Sequence, residues 1–173
     1  SGLKDGHKGN FVAVGTMGPA IEIWDLDIVI FSVDCFEPHV VLGGKSKNQK
    51  GKNKVTKYRK GSHRDSILGI AWNMEYKNVL ASASADTTIK IWDVAVGKCV
   101  TTLEHHDSKV QAVVWSPCSS EMILSGSFDK SIVLKDVKNC VPDCIRWSVG
   151  ADVETLAWDP HNEHLFVLQQ QYG

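Results

Sequence analysis

Long apolar runs and closely paired cysteines are missing from this sequence, and one stretch of it has no acidic residue at all. No segment approaches the roughly 20 consecutive apolar residues of a membrane-spanning helix, so a span is not expected. Ser1 to Asn10 is polar and the apolar patch after it is short, so no secretory leader is expected either. The five cysteines (Cys35, Cys99, Cys118, Cys140 and Cys144) are odd in number, and no two have the two-residue gap of a zinc knuckle or redox motif. They read as reduced, mostly buried thiols of a cytosolic or nuclear protein, with a Cys140–Cys144 bridge disfavoured. A phosphate-binding glycine loop, a dinucleotide fingerprint and the G-x-S-x-G nucleophile turn are all absent. No cofactor and no small-molecule substrate is therefore expected. No stretch holds a 3.6-residue apolar period, so helices are not expected.

What is present is a chain of 173 residues, 43% hydrophobic and 23% charged, values at which a globular core can form. The net charge of −1 hides a local imbalance. Between Gly43 and Gly61 lie Lys45, Lys47, Lys50, Lys52, Lys54, Lys57, Arg59 and Lys60 with no acid among them, so this segment carries +8 and the remainder −9.

The dominant feature is a repeat. Trp72, Trp115 and Trp158 are successively 43 residues apart, and the same step carries His63 to His106, Ser82 to Ser125, Asp86 to Asp129 and Asp93 to Asp136. Each unit reads as four short strands. In the first full copy these are 67–72, 79–84, 88–93 and 99–103, separated by turn-forming segments such as Ala85-Asp86-Thr87 and Gly97. Strands of this length at such regular intervals predict an all-β fold.

The string Gly61-Ser-His63…Ile67…Trp72-Asn…Leu80-Ala-Ser-Ala-Ser84-Ala-Asp86…Ile89-Lys-Ile-Trp92-Asp93 resembles the signature of WD-repeat proteins. That resemblance implies a WD-repeat β-propeller, in which each repeat is a four-stranded blade and about seven blades surround a channel. This chain is expected to supply three to four blades, a partial ring. The expected divisions are a linker (1–10), a partial blade (11–42), a basic disordered insertion (43–61), complete blades at 62–103 and 104–149, and the truncated start of another at 150–173.

His63, Ser82 and Asp86 are residue types that make a nucleophilic triad. The resemblance implies instead that, with Trp92, they form a buried structural tetrad, which is physically sensible. An unpaired buried polar group costs roughly 1–3 kcal/mol, so a connected set fastens strand to loop. The second copy keeps His106, Ser125 and Asp129, but Lys135 stands where the tryptophan would be. That network is expected to lack one end, and His63→Ala to destabilise more than His106→Ala. His161 and His164, beside Glu163, read as a solvated turn rather than a metal site, and His105-His106-Asp107 as a turn before a strand.

The step from Trp24-Asp25 to Trp92-Asp93 is 68 residues, 25 longer than the repeat, and the basic segment falls in that excess. Three readings stay open for it: contact with nucleic-acid phosphates, recognition by an import receptor, or a solvated loop. Only Tyr58 within it could stack on a base.

Gly9-Asn-Phe-Val-Ala-Val-Gly15-Thr-Met-Gly-Pro-Ala-Ile-Glu-Ile-Trp24-Asp-Leu-Asp27, followed by a lysine-rich insertion, resembles the periodic tryptophan protein 1 family of eukaryotic WD-repeat proteins. The resemblance weakens at Ile28 to Asp34 and fails over the last eight residues. It implies a non-catalytic scaffold of the nucleus and nucleolus, in ribosome biogenesis and rRNA transcription or processing. Proteins of such an assembly would be its partners, with RNA or nucleosomes at the basic loop. A chromatin- and histone-binding adaptor is the alternative.

Overall fold

A computed structural model describes residues 10–27, 37–46, 56–139, 144–159, 161–162 and 164–171. Of the residues set apart above, Lys47, Lys50, Lys52, Lys54, the segment from Ile28 to Asp34, Cys35, Cys140 and Glu163 lie outside the described residues.

The described chain folds into four antiparallel sheets, each built from strands adjacent in sequence. The first holds β1 (Phe11–Gly15), β2 (Ala20–Asp25) and β3 (Val40–Gly43). The second holds β4 (Ile67–Trp72), β5 (Val79–Ser84), β6 (Ile89–Asp93) and β7 (Lys98–Leu103) in that order. The third repeats it with β8 (Val110–Trp115), β9 (Met122–Ser127), β10 (Ser131–Asp136) and β11 (Cys144–Ser148). The last has β12 (Asp152–Trp158) and β13 (Phe166–Gln171). These are blades of a partial β-propeller: β4 lies against β8 and β8 against β12, so first strands neighbour one another from blade to blade.

Burial explains the composition of each strand. The second strand of a blade is covered on both faces by its neighbours, and β5 is accordingly made of small side chains: Ala81, Ser82, Ala83 and Ser84 are all fully buried. The fourth strand is the outer edge, and in β7 exposed and half-buried residues alternate. The core is not one central mass but three layers between successive blades. Ile21, Ile23, Leu42, Leu80 and Trp92 fill the first, Ala83, Ile89, Ile91, Val113 and Ile123 the second, and Ala112, Leu124, Ile132, Val153 and Leu156 the third.

Close approach between blades is set by two glycines. A Cβ on Gly69 would stand 2.8 Å from the Gln111 carbonyl oxygen of the neighbouring first strand, and one on Gly126 would stand 2.4 Å from Val153 Cγ1. The first strands also share a register shift, between Ile67 and Gly69, Val110 and Ala112, and Val153 and Thr155. An extra residue inserted there increases the local twist. Turns between second and third strands hold Thr87 and Lys130 at φ 71° and 62°, again one repeat apart.

Candidate functional site

The four residues of the tetrad come from two strands and two loops of the second blade. Ser82 is on β5, Trp92 on β6, and His63 precedes β4 while Asp86 sits in the turn after β5. The Trp92 indole N–H donates to Ser82 Oγ at 2.8 Å, and His63 Nε2 lies 2.8 Å from the same oxygen. His63 Nδ1 is 2.9 Å from Asp86 Oδ2. The hydroxyl of serine has one proton, so the chain of donors runs one way: indole to serine, serine to imidazole, imidazole to carboxylate.

Asp86 also accepts from the Arg64 amide at 2.8 Å and from the Thr88 hydroxyl at 2.7 Å. Burial by itself would raise its pKa, but the bonds from His63 and the Arg64 amide outweigh that and hold the carboxyl far below the usual range. His63 and Ser82 are both fully buried. A nucleophilic hydroxyl must meet its substrate, and Ser82 Oγ is enclosed by the indole and imidazole that bond it. The arrangement joins strand, turn and blade-entry loop into one rigid unit.

The third blade solves the same problem with a different donor. His106 Nε2 is 2.9 Å from Ser125 Oγ, and its Nδ1 is 2.8 Å from Asp129 Oδ2. Lys135, on β10 at the tryptophan's position, is half-buried, paired in register with Ile123 and Cys144. The sequence suggested that this network would lack an end; instead, His105 supplies it. Its Nε2 lies 3.0 Å from Ser125 Oγ, reaching from the entry loop the hydroxyl that the indole reaches from the third strand in the other blade. The two imidazoles pack with centroids 4.6 Å apart. His105 is therefore more than part of a turn.

Arg146 on β11 closes this cluster. Its guanidinium donates to the His105 carbonyl and, at 2.9 Å, to Ser131 Oγ, and stands 3.7 Å from Asp129 Oδ2. Burial drives the His105 pKa down to about 3, helped by repulsion from His106 whenever that ring is protonated and by the charges of Arg146 and Lys135. Its Nδ1 is buried without a hydrogen-bond partner among the described residues, so a proton there would have no acceptor. Burial also lowers His106, against the pull of Asp129. For Asp129, burial is outweighed by bonds from Ser131, the Asp107 amide and His106, and the carboxyl falls to about 2. Sequence reasoning missed His105 and Arg146. The signal for the former was the lysine at 135, since a buried serine still needs a donor, and a second histidine lay beside the first.

Among the described residues, the outer blades have no such network. Register places Val14 and Gly18 of the first blade where the second has Ser82 and Asp86, and Trp24 donates to Glu22 Oε2 at 3.2 Å instead. The last blade has Val149 and Leu168 at the histidine and serine offsets. The closing aspartates serve turns: Asp93 Oδ1 accepts from the Ala95 amide, Asp136 Oδ1 from the Lys138 amide. Asp159 Oδ1 likewise accepts from the amides of His161 and Asn162, and Asn162 Oδ1 from that of His164. Cys118 is exposed and Cys99 and Cys144 half-buried, all as free thiols, so the expectation of mostly buried cysteines fails for the described ones.

The basic insertion is ordered at its base. Lys45 and Tyr58 face each other in an antiparallel bridge, the Ser46 amide donates to the Lys57 carbonyl at 2.7 Å, and the Arg59 amide to the Gly44 carbonyl at 2.9 Å. Ser62 Oγ accepts from the Gly44 amide at 2.8 Å, tying this stem to the start of the second blade. Glycines are required at both ends: Gly43 and Gly44 have φ 65° and 92°, and Gly61, at 76°, would push a Cβ to 2.7 Å from Cys99 Cβ. Lys45, Lys57, Tyr58, Arg59 and Lys60 are exposed on the stem. The described ends of the segment expected to be disordered are thus a paired hairpin base.

Comparison with known proteins agrees with this architecture. The WD domain, G-beta repeat family matches residues 54–93 and 97–136. The periodic tryptophan protein 1 homolog of Drosophila melanogaster is 31% identical over 168 residues, covering 95% of this chain and 34% of that protein. Periodic tryptophan protein 1 of Saccharomyces cerevisiae is 32% identical over 93% of this chain and 30% of its own length. An uncharacterized WD repeat-containing protein of Schizosaccharomyces pombe is 40% identical over 99% of this chain and 33% of its own. The chain spans about a third of the length of each. With its meandering four-stranded blades, its period and these relatives, the chain belongs to the WD-repeat β-propeller family and is similar to periodic tryptophan protein 1.

Proposed function

We propose that this chain is part of a non-catalytic scaffold for ribosome biogenesis in the nucleolus, active in rRNA transcription or processing. The observation that carries this reading is likeness to periodic tryptophan protein 1 over nearly the whole chain, from the first blade through the last. The geometry supports the scaffold half of it. The polar groups of catalytic type, His63, Ser82 and Asp86, are spent on one another and on Trp92 inside the blade. Fixed loops on a rigid frame are suited to docking other macromolecules. The basic insertion is the part of this surface that faces RNA, with Lys45, Lys57, Arg59 and Lys60 at its base.

The test is affinity purification from nuclei of the full protein, with and without residues 45–60. Recovery of precursor ribosomal proteins and rRNA supports the reading, with the RNA share falling on deletion. Recovery of nucleosomes in their place would replace it with a histone-binding adaptor.

A further inference from the structure

The base of the basic insertion sets an aromatic ring among cations, which offers more than general attraction to phosphate. In the antiparallel bridge Lys45 and Tyr58 are directly opposite, so their side chains project from the same face of the stem. Tyr58 remains 36% exposed, so part of its side chain is open to solvent. Lys57 and Arg59 flank it in sequence and Lys60 follows, all exposed. No carboxylate occurs anywhere between Gly43 and Gly61 to neutralise them. The Tyr58 backbone is held in place by the backbone bonds of Ser46 to Lys57 and Arg59 to Gly44 on either side of it.

From this juxtaposition the geometry points to a site for an unpaired nucleic-acid strand, with one base stacked on Tyr58 and an adjoining phosphate on Lys45, while Lys57 and Arg59, which alternate to the other face, add positive field. The inference rests on the reading that the insertion faces RNA, and it specifies the form the RNA takes. In a duplex the faces of the bases are covered by their neighbours, so a lone exposed ring has nothing to stack on. A single strand offers both an open base and flexible phosphates, the two things this stem can bind. An import receptor would read an extended, unpaired peptide, whereas the backbone at these positions is already paired with itself. Nothing here reads a 2′-hydroxyl, so RNA and DNA strands serve alike.

The test uses the full chain and fluorescein-labelled oligonucleotides in an anisotropy titration: a 12-nucleotide uridine RNA, a thymidine DNA of the same length, and a 12-base-pair RNA duplex. Tyr58→Ala is expected to weaken both single strands about tenfold, the size of one base–aromatic stack, and to leave the duplex unchanged. Tyr58→Phe keeps the ring and should bind as the parent does. Lys45→Gln should reduce the slope of log affinity against log salt by about 0.7, one phosphate contact on a single strand. A 4-thiouridine strand irradiated on the unaltered chain gives a readout that needs no variant: a crosslink at Tyr58 supports the site, and crosslinks found only elsewhere overturn it. Equal losses on duplex and single strand, or a polyglutamate peptide bound as tightly as RNA, would also overturn it. Recovery of precursor particles by the full protein does not depend on Tyr58, so that reading can stand while this one fails.

Discussion

Acidification should loosen the third blade before any other part of the chain, because two histidines there are folded in their neutral form. His105 has a pKa near 6.5 when unfolded and about 3 when folded, lowered first by burial, then by repulsion from His106 whenever that ring is protonated and from the charges of Arg146 and Lys135, with Asp129 opposing. A depressed histidine means that the unfolded chain takes up the proton more readily. The contribution of His105 to stability is therefore complete above pH 6.5 and is lost as the pH falls from there toward 3. Linkage puts the loss between pH 7.5 and 5 at about 2 kcal/mol, and partial access of solvent to the ring reduces it to about 1 kcal/mol. Asp86 and Asp129 do not confuse the measurement. Both have depressed carboxyls, so their contribution is present above the unfolded value of 3.8 and is lost only below it. The assay is urea unfolding of the full chain at pH 7.5 and 5.0, followed by tryptophan fluorescence, for the parent and for His105→Gln. Glutamine can still donate to Ser125 and does not titrate. The parent should lose about 1 kcal/mol more than the variant on acidification; equal losses in the two proteins would refute the assignment of His105 as a buried neutral donor.

Three further outcomes follow from the same contacts. Trp92→Phe removes the indole N–H that reaches Ser82 together with part of a fully buried ring system, and should lower stability by about 2–4 kcal/mol in thermal unfolding, with the sheet otherwise retained. His63→Ala should cost more than His106→Ala, because Asp129 keeps the Arg146 guanidinium 3.7 Å away in addition to hydroxyl and amide donors like those Asp86 has; unfolding midpoints in the reverse order would contradict this. Gly126→Ala places a Cβ within 2.4 Å of Val153 Cγ1 and should destabilise by about 1–3 kcal/mol, read as a lower urea midpoint, as the last blade is pushed off the third.

The strands were legible because two different periods agree. The 43-residue step locates the blades, and the short alternating runs within each step locate the strands, so β4 to β6 fall within a residue of where the pattern puts them. Small residues at 81 to 84 were legible too, since a strand covered on both faces has room for little else. What a repeat cannot show is where different residues perform the same task. Trp72, Trp115 and Trp158 keep the period, yet the first indole donates to the Lys77 carbonyl and the second to the Ala71 carbonyl of the preceding blade, while the third is buried with no partner among the described residues. The stem of the insertion was illegible for another reason. Its composition is that of a solvated chain, and its order comes from backbone bonds and from Ser62, which composition does not register.

The exchange of Trp92 for His105 shows what the blade requires. In both networks the serine hydroxyl must give its proton to an imidazole, so a second donor is needed to satisfy the oxygen; the identity and origin of that donor are secondary. An indole from the third strand meets the requirement with a group that never titrates. An imidazole from the entry loop also donates in either charge state, but protonation would place a second N–H on a buried nitrogen with no acceptor among the described residues, beside the Arg146 guanidinium. The third blade is thus the one in which the strand position at 135 was released to carry a lysine, and the one in which stability became dependent on pH. Two blades with the same fold and nearly the same hydrogen-bond diagram should separate under acid, and the cause lies in the chemistry of one donor.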